Sequence, residues 1–234
     1  MKKIILIVII LLAGQNFANA YTCENETVKC PIDGQKLTFC VTMSMTTFGS
    51  FKDFQKQGAI GGHYEELINT CSKCHFSGYI DDFKSEISGE EKIKIKEYLT
   101  KFDNTKIDEA KQCLIAGEIK ELQKKSYNEI AFCYIIGSYL LRNNDKQVDF
   151  RKEFQSKVKD NLMAALDKNE YEDKSVIANI NYLIAEMERR IGNFDEAIKY
   201  YDVAINDTNK KDWVEEVAKE QKELAVKKDE NNKI

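Results

Sequence analysis

The sequence predicts an α+β protein, mainly α, in which a small cysteine-rich β module precedes a domain of helical hairpins. Three observations predict this class. Five of the seven cysteines and the single proline lie between residues 23 and 74. Residues 37–46 alternate between apolar and polar types, which is typical of a half-buried strand. From residue 88 onward there is no proline, and apolar residues recur at helical spacing.

The first 20 residues have the three-part layout of a secretory signal. Lys2 and Lys3 precede an apolar run over residues 4–13, and residues 18–20 match an A-x-A cleavage site. A membrane-spanning helix needs about 20 apolar residues, so this run is too short for a stable membrane anchor. We therefore expect an exported protein, periplasmic or extracellular.

Composition excludes several function classes. The formal charge is −4, and basic and acidic residues are evenly mixed, which argues against a nucleic-acid partner. The sequence contains no phosphate-binding loop, no dinucleotide-binding glycine motif and no hydrolase or zinc-protease signature. We therefore expect a protein without catalytic activity.

A change in composition near residues 84–89 predicts a boundary between two domains. Cysteines and glycines are concentrated before it, whereas amphipathic segments follow it. The expected segments are a signal peptide 1–20, a Cys-rich β module 21–87, a helical domain 88–226 and a flexible tail 227–234.

Successive amphipathic segments make up the helical domain. Ser88 with Glu91 and Ser126 with Glu129 fit the S-x-x-E capping box, which marks helix starts. Each following apolar stripe predicts the buried face of one helix. The stripes run over 107–122, 130–141, 150–166, 176–191, 194–205 and 213–224.

Residues 192–205 resemble the second helix of a tetratricopeptide repeat. Gly192 suits the left-handed end of a preceding helix. Two alanines let neighbouring helices approach closely, and two aromatic residues fill the space between helix pairs. A degenerate earlier unit is expected over 127–168. The residues assigned to repeat packing are Gly192, Phe194, Ala197, Tyr201 and Ala204.

Stacked repeats bury each other's faces and present a concave surface to a protein or peptide partner. The alternative is a plain helical bundle that uses the repeat only for packing. Residues 211–226 suit a polar helix that ends such an array.

Two short cysteine motifs carry the main chemical signal. Cys30-Pro-Ile-Asp33-Gly and Cys71-Ser-Lys-Cys74 resemble zinc knuckles, tight turns that direct two ligands at one metal ion. Two knuckles on either side of a strand give a zinc-ribbon-like module with a tetrahedral site. Cys40, on the polar side of the predicted strand, is the substitute for Asp33 as a ligand.

Disulfides are a second interpretation of the cysteines, because exported thiols meet an oxidising compartment. An odd total of seven leaves at least one cysteine unpaired or available for a metal. The candidates for pairing are Cys23, Cys40, Cys113 and Cys133.

Haem is a third interpretation. Cys71, Cys74 and His75 match the C-x-x-C-H motif that attaches c-type haem in exported proteins. His75 would be the proximal ligand of the iron. The candidates for the distal ligand are Met43, Met45 and His63.

Together these motifs resemble a bacterial family of unknown function. Its members pair a C-P-x-C knuckle with a later C-P-x-C-G-Y-A knuckle, followed by tetratricopeptide-like helices. Here Asp33 replaces a Cys, Ser72 a Pro and His75 a Gly. The resemblance implies the two-domain fold and carries no established activity. The matching segments are 30–34, 64, 71–79, 82–83, 131–134 and 192–205.

The sequence therefore predicts an exported scaffold or protein-binding module whose cysteines are structural, with zinc or disulfides. The alternative function is that of a monohaem c-type cytochrome that carries electrons through the C-S-K-C-H motif.

Overall fold

The computed structural model describes residues 21–233, so the predicted signal peptide lies outside the described residues. Within this range the protein is mainly helical, and its small antiparallel sheets lie near the N-terminus, as the α+β class predicts. The strands are β1 Tyr21–Lys29, β2 Lys36–Ser50, β3 Lys56–Ala59, β4 Asn69–Thr70 and β5 Ser77–Gly78.

Nine α-helices follow in residues 63–226 of the described chain. Two of them are single turns inside the cysteine-rich part, and seven longer ones make up the rest. The helices are α1 His63–Leu67, α2 Ile80–Lys84, α3 Gly89–Leu99, α4 Glu109–Leu122, α5 Tyr127–Leu140, α6 Val148–Asp167, α7 Ile177–Ile191, α8 Phe194–Asn206 and α9 Asp212–Val226.

The alternating segment forms the long central strand of a three-stranded meander. β2 pairs antiparallel with β1 from Lys29 opposite Lys36 to Tyr21 opposite Met45, and its far half pairs with β3. The strand predicted from alternation is therefore confirmed. β4 and β5 form a separate hairpin that encloses residues 71–76, the second cysteine motif.

Helix ends follow the capping signals in the sequence. The Ser88 hydroxyl accepts a hydrogen bond from the Glu91 amide at 3.2 Å, and the Glu91 carboxylate accepts one from the Ser88 amide. Ser126 and Glu129 form the same capping box before α5. Gly192 ends α7 with a φ of 98°, the left-handed conformation that glycine adopts without a Cβ clash. These three predictions are confirmed.

Consecutive helices from α4 to α9 pack side by side through short connections, which makes them helical hairpins. Ala197, Tyr201 and Ala204 of α8 are completely buried against α7 and α9, while Phe194 packs at the edge of that cluster. The finer assignment of these hairpins to tetratricopeptide repeats stays a prediction.

The hydrophobic core crosses the boundary predicted near residues 84–89. Phe76 of the cysteine-rich part shares one buried cluster with Ile95 of α3 and Ile115 of α4. Tyr64 packs edge-on against Tyr139 of α5 at 5.3 Å between ring centroids. The β module is therefore packed on the helices, so disturbance of the module can reach α3 and α4.

The tail predicted to be flexible is held in place over its described part. The side chains of Arg142 and Arg189 donate hydrogen bonds to backbone carbonyls of the tail, and Asn232 is buried. The prediction of a flexible tail rested on polar composition, which does not reveal contacts between the tail backbone and distant side chains.

Candidate metal centre

The first cysteine motif is a tight loop between β1 and β2. The Cys30 amide donates to the Gln35 carbonyl at 2.8 Å, and the Gly34 amide donates back to the Cys30 carbonyl at 2.9 Å. Gly34 has a φ of 78°, in the left-handed region. This turn points the side chains of Cys30 and Asp33 to the same side.

The second motif repeats this geometry between β4 and β5. The Cys71 amide donates to the Phe76 carbonyl at 2.8 Å, and the His75 amide donates to the Cys71 carbonyl at 2.9 Å. His75 takes the position of Gly34 and has a φ of 62°. The two knuckles therefore correspond residue by residue, and Asp33 stands where the second knuckle has Cys74.

Four donor atoms converge where the knuckles face each other. The side chains of Cys30, Asp33, Cys71 and Cys74 place one ligand atom each within 4.8 Å of all the others. The Sγ atoms of Cys30 and Cys74 are 3.4 Å apart, and Cys71 Sγ lies 3.6 Å from Asp33 Oδ2. Zn–S bonds of about 2.3 Å in a tetrahedron place two sulfurs about 3.8 Å apart. The donor set therefore fits a zinc ion.

Burial and hydrogen bonds hold the donors in place. Cys30 and Cys71 are 2% and 0% exposed, packed among apolar side chains that include Phe76. The Gln35 amide donates to Asp33 Oδ1 at 2.9 Å, which orients that carboxylate. The Gln35 side chain also donates to the Ser72 hydroxyl at 3.1 Å and so links the two loops. Gln35 was not singled out in the sequence, although its place directly after the first knuckle is a signal.

The ionisation of the three thiols is shared. Hydrogen bonds with Cys30 and Cys74 lower the pKa of the Cys71 thiol to about 2. Hydrogen bonding with Cys71 raises the pKa of Cys30 to about 11, and hydrogen bonding with Cys30 raises the pKa of Cys74. In a metal centre the cation takes the place of the two shared protons, because zinc binds thiolates.

The electrostatics of the cluster also favour a cation. Cys71 Sγ lies 3.6 Å from the Asp33 carboxylate and 3.4 Å from Gln35 Oε1. Three electron-rich groups at this distance repel one another unless a proton or a metal ion lies between them. Cys30, Asp33, Cys71 and Cys74 are therefore the residues that could hold a metal such as zinc.

Cys40 does not belong to this site, and its prediction as a substitute ligand was wrong. It forms a disulfide with Cys23, with Cα atoms 5.5 Å apart, which joins β1 to β2. The pairing of these strands brings the two cysteines together, and the sequence motif does not show that register. This bond confirms one of the expected disulfides.

Cys113 and Cys133 do not form the other expected disulfide. Both are free thiols buried in the helical core, on α4 and α5 respectively. Burial raises the pKa of Cys113 and raises that of Cys133 to about 12, so both stay protonated at neutral pH. They are packing residues in this fold.

The residues of the haem motif do not fit a covalently bound porphyrin. Cys71 is completely buried, and both Cys71 and Cys74 face the opposite knuckle. His75 serves as the left-handed corner of its loop. Of the expected distal ligands, Met43 is 62% exposed on β2, and His63 Nδ1 lies 3.2 Å from the Thr42 hydroxyl. Thioether bonds would require the two knuckles to separate.

None of the helices in residues 21–233 combines the length and the apolar character that crossing a membrane requires.

The fold and the site define a class of protein in which paired cysteine knuckles pack against helical hairpins. A family model described as "Uncharacterized protein conserved in bacteria (DUF2225)" matches residues 23–225, and the chain belongs to this family. The match includes both knuckles and all of the helices up to the last turn of α9. No curated protein and no solved structure matches the chain.

Proposed function

We propose that this protein is an exported, non-catalytic scaffold that binds a protein or peptide partner through its helical domain, with one zinc ion bracing the β module. The observation that carries the proposal is the convergence of four donor atoms from two matching knuckles within 4.8 Å.

The donor set supports a structural role for the ion. Three sulfurs and one carboxylate fill the four positions that zinc takes in structural sites, so no position remains for a substrate. Cys30 and Cys71 bind from the buried side, while Asp33 and Cys74 close the half-buried side of the site. Zinc bound there would join loops that lie about 40 residues apart in the chain.

The arrangement of the helices supports a partner-binding role. Consecutive helices from α4 to α9 make most of their contacts with their neighbours along the chain, as in a stacked helical array that presents its remaining faces to a partner. The resemblance of residues 192–205 to a repeat that commonly binds peptides points the same way.

Two features support export. The sequence of residues 1–20 has the layout of a secretory signal. The Cys23–Cys40 disulfide is of the kind that persists in oxidising compartments outside the cytosol.

Metal analysis combined with thiol counting tests the zinc part of the proposal on the full chain. We expect about one zinc ion per chain in the wild type and none in Cys71→Ser. Cys113→Ser is the matched control, because it removes a buried thiol outside the site and should retain the ion. Wild-type protein that contains no metal while its thiols are reduced would contradict the proposal.

The same preparation separates the scaffold from the alternative function of a monohaem electron carrier. Protein expressed together with haem-attachment machinery should remain colourless. Sharp reduced Soret and α bands that survive denaturation would instead establish haem bound to Cys71 and Cys74. Substrate turnover that co-purifies with the protein would contradict the non-catalytic role.

A further inference from the structure

A polar groove runs across the ends of α5 and α7 and holds the C-terminal tail. The tail follows α9 as a segment without helix or strand, and each residue from 229 to 233 contacts the rest of the protein. We call the surface formed by Arg142, Lys152, Gln155, Arg189 and Arg190 the tail groove.

The groove binds the backbone of the tail through guanidinium groups. Arg189 donates to the carbonyl of Asp229 at 2.8 Å and to that of Asn231 at 3.1 Å. Arg142 and Arg190 both donate to the carbonyl of Asn232. These contacts recognise a peptide backbone and do not depend on the side chains that the peptide carries.

Two residues of the groove contact side chains of the tail. Lys152 of α6 forms an ion pair with Glu230 at 2.6 Å, and Gln155 on the next turn donates to Asn232 Oδ1 at 2.6 Å. The groove therefore selects an acidic residue followed two positions later by an asparagine. It also carries excess positive charge, because three arginines and Lys152 face only two buried carboxylates, those of Asp53 and Glu186.

The arginines are fixed by groups outside the tail. Asp53, in the turn between β2 and β3, binds Arg142 and binds Arg190 at 2.8 Å. Glu186 binds Arg189 at 3.1 Å and Arg190 at 2.9 Å. All three arginines are almost completely buried. The groove is therefore built before a peptide enters it, which reduces the entropy lost on binding.

The tail leaves hydrogen-bonding capacity unused in and beside the groove. Gln155 Oε1, in the groove, and Gln221 Nε2, beside Arg189, are buried without a hydrogen-bond partner among the described residues. Gln155 contacts the tail directly, and the Gln221 side chain accepts a hydrogen bond from Arg189. An unpaired buried polar atom is unfavourable, so a ligand that supplied the missing partners would bind more tightly.

We propose that the tail groove is a binding site for peptide segments, that the tail occupies it in cis, and that a partner segment with the pattern acidic-x-Asn replaces the tail. This inference rests on the proposed partner-binding function and names the chemistry of the partner. A tethered tail competes at a high effective concentration, so exchange requires a partner segment that binds better than the tail does.

A charge swap in the full-length chain tests the proposal. The receptor is the double variant Lys152→Glu with Asn232→Ala, whose own tail loses both side-chain contacts. Two fluorescent peptides serve as probes: residues 227–234, and the same peptide with Glu230→Lys. We expect the variant to bind the swapped peptide about tenfold more tightly than the natural one, because attraction replaces repulsion. Equal binding of both peptides, or no binding of either, overturns the proposal.

The matched control carries Lys168→Glu with Asn232→Ala. Lys168 is an exposed residue at the opposite end of α6, so this variant has the same change of charge and the same altered tail. It should not prefer the swapped peptide. A preference equal to that of the receptor variant would show that net charge, and not the groove, selects the peptide.

A second measurement uses the unaltered protein and so does not depend on the folding of a variant. Excess natural peptide should shift the NMR signals of the tail residues in the wild type, because a displaced tail loses the hydrogen bonds that Arg142 and Arg189 donate to its carbonyls. Unchanged tail signals at saturating peptide overturn the proposal. Zinc content is measured on the same samples: zinc-loaded protein that binds no peptide refutes only the groove, and metal-free protein that binds peptide refutes only the zinc site.

Discussion

Two clusters of ionisable side chains lie in different parts of the molecule. The cluster at the knuckles consists of thiols and a carboxylate, whereas the cluster beside α7 is rich in arginine. At the knuckles, three thiols and the Asp33 carboxylate meet with no cationic side chain among them. Beside α7, three buried arginines share the two carboxylates of Asp53 and Glu186 and donate further hydrogen bonds to backbone carbonyls of the tail. The knuckle donors could therefore hold a cation from outside the chain, such as zinc, whereas the arginines find their partners within the chain.

Loss of the proposed zinc ion should change the molecule most. Cys71→Ser removes one donor of the proposed zinc site, so it should abolish metal binding there and loosen the β module, because structural zinc contributes directly to folding. Since the shared core reaches Ile95 and Ile115, hydrogen exchange should also rise in α3 and α4. Exchange in α7 to α9 should stay at its wild-type rate. Melting of those distant helices in the variant would show that the stability of α7 to α9 depends on the knuckles.

The arginine cluster comprises Arg142, Arg189 and Arg190 with the carboxylates of Asp53 and Glu186. Removing one of these carboxylates should lower the free energy of unfolding by less than loss of the ion does, and it should act in the part of the molecule around α7. Asp53→Ala leaves Arg142 and Arg190 without their shared partner, and such a loss costs about 3–5 kcal/mol. Urea unfolding of the zinc-loaded protein measures the change. Glu220→Ala is the control, since its ion pair with Lys52 is exposed and worth at most about 1 kcal/mol. Equal losses of unfolding free energy in the two variants would show that the buried ion pairs of Asp53 contribute no more to stability than an exposed one.

Acid should weaken the arginine cluster in a defined range. Burial favours the protonated form of Glu186, but Arg190 and Arg189 outweigh it and hold the pKa of this carboxyl below its usual value. A lowered folded-state pKa stabilises the protein above the unfolded pKa of about 4.3, and the contribution is lost as pH falls through the folded value. The free energy of unfolding should therefore decline below about pH 4.3, and less steeply in Glu186→Gln. Identical slopes for the two proteins would assign the decline to other carboxylates.

A substitution in the second knuckle should change stability least, and it should be stabilising. His75 adopts a left-handed conformation that costs a residue with a side chain about 1 kcal/mol relative to glycine. His75→Gly should therefore raise the stability of the β module by about that amount, seen as slower hydrogen exchange at residues 71–78. Gly34→Ala, at the matching position of the first knuckle, should have the opposite sign. A loss of stability in His75→Gly would indicate that the imidazole itself makes a stabilising contact.

The sequence revealed those parts of the molecule that depend on local patterns. Alternation identified β2, capping boxes identified the starts of α3 and α5, and Gly192 identified the end of α7. The knuckle motifs also named all four residues of the metal cluster. Each of these signals lies within a few residues of the feature that it predicts, so a single sequence contains it.

The parts that the sequence did not reveal depend on contacts across long separations. Nothing near Asp53 in the sequence marks it as a buried residue, yet it binds Arg190, which follows it by 137 positions. The polar tail reads as flexible, yet its carbonyls bind arginines from α7 and from the end of α5. Cys40 left the predicted ligand set because strand pairing placed it next to Cys23. Charge and composition do not indicate which distant residues will meet.

The separation of the two knuckles along the chain has a consequence for folding kinetics. The proposed metal bridge from Cys30 to Cys71 would close a loop of about 40 residues, a non-local step that costs considerable chain entropy. Without an ion, a newly synthesised chain would have to close that loop through its own contacts. The availability of the metal would then control the folding rate of new molecules, even at metal concentrations that do not limit the folded fraction at equilibrium.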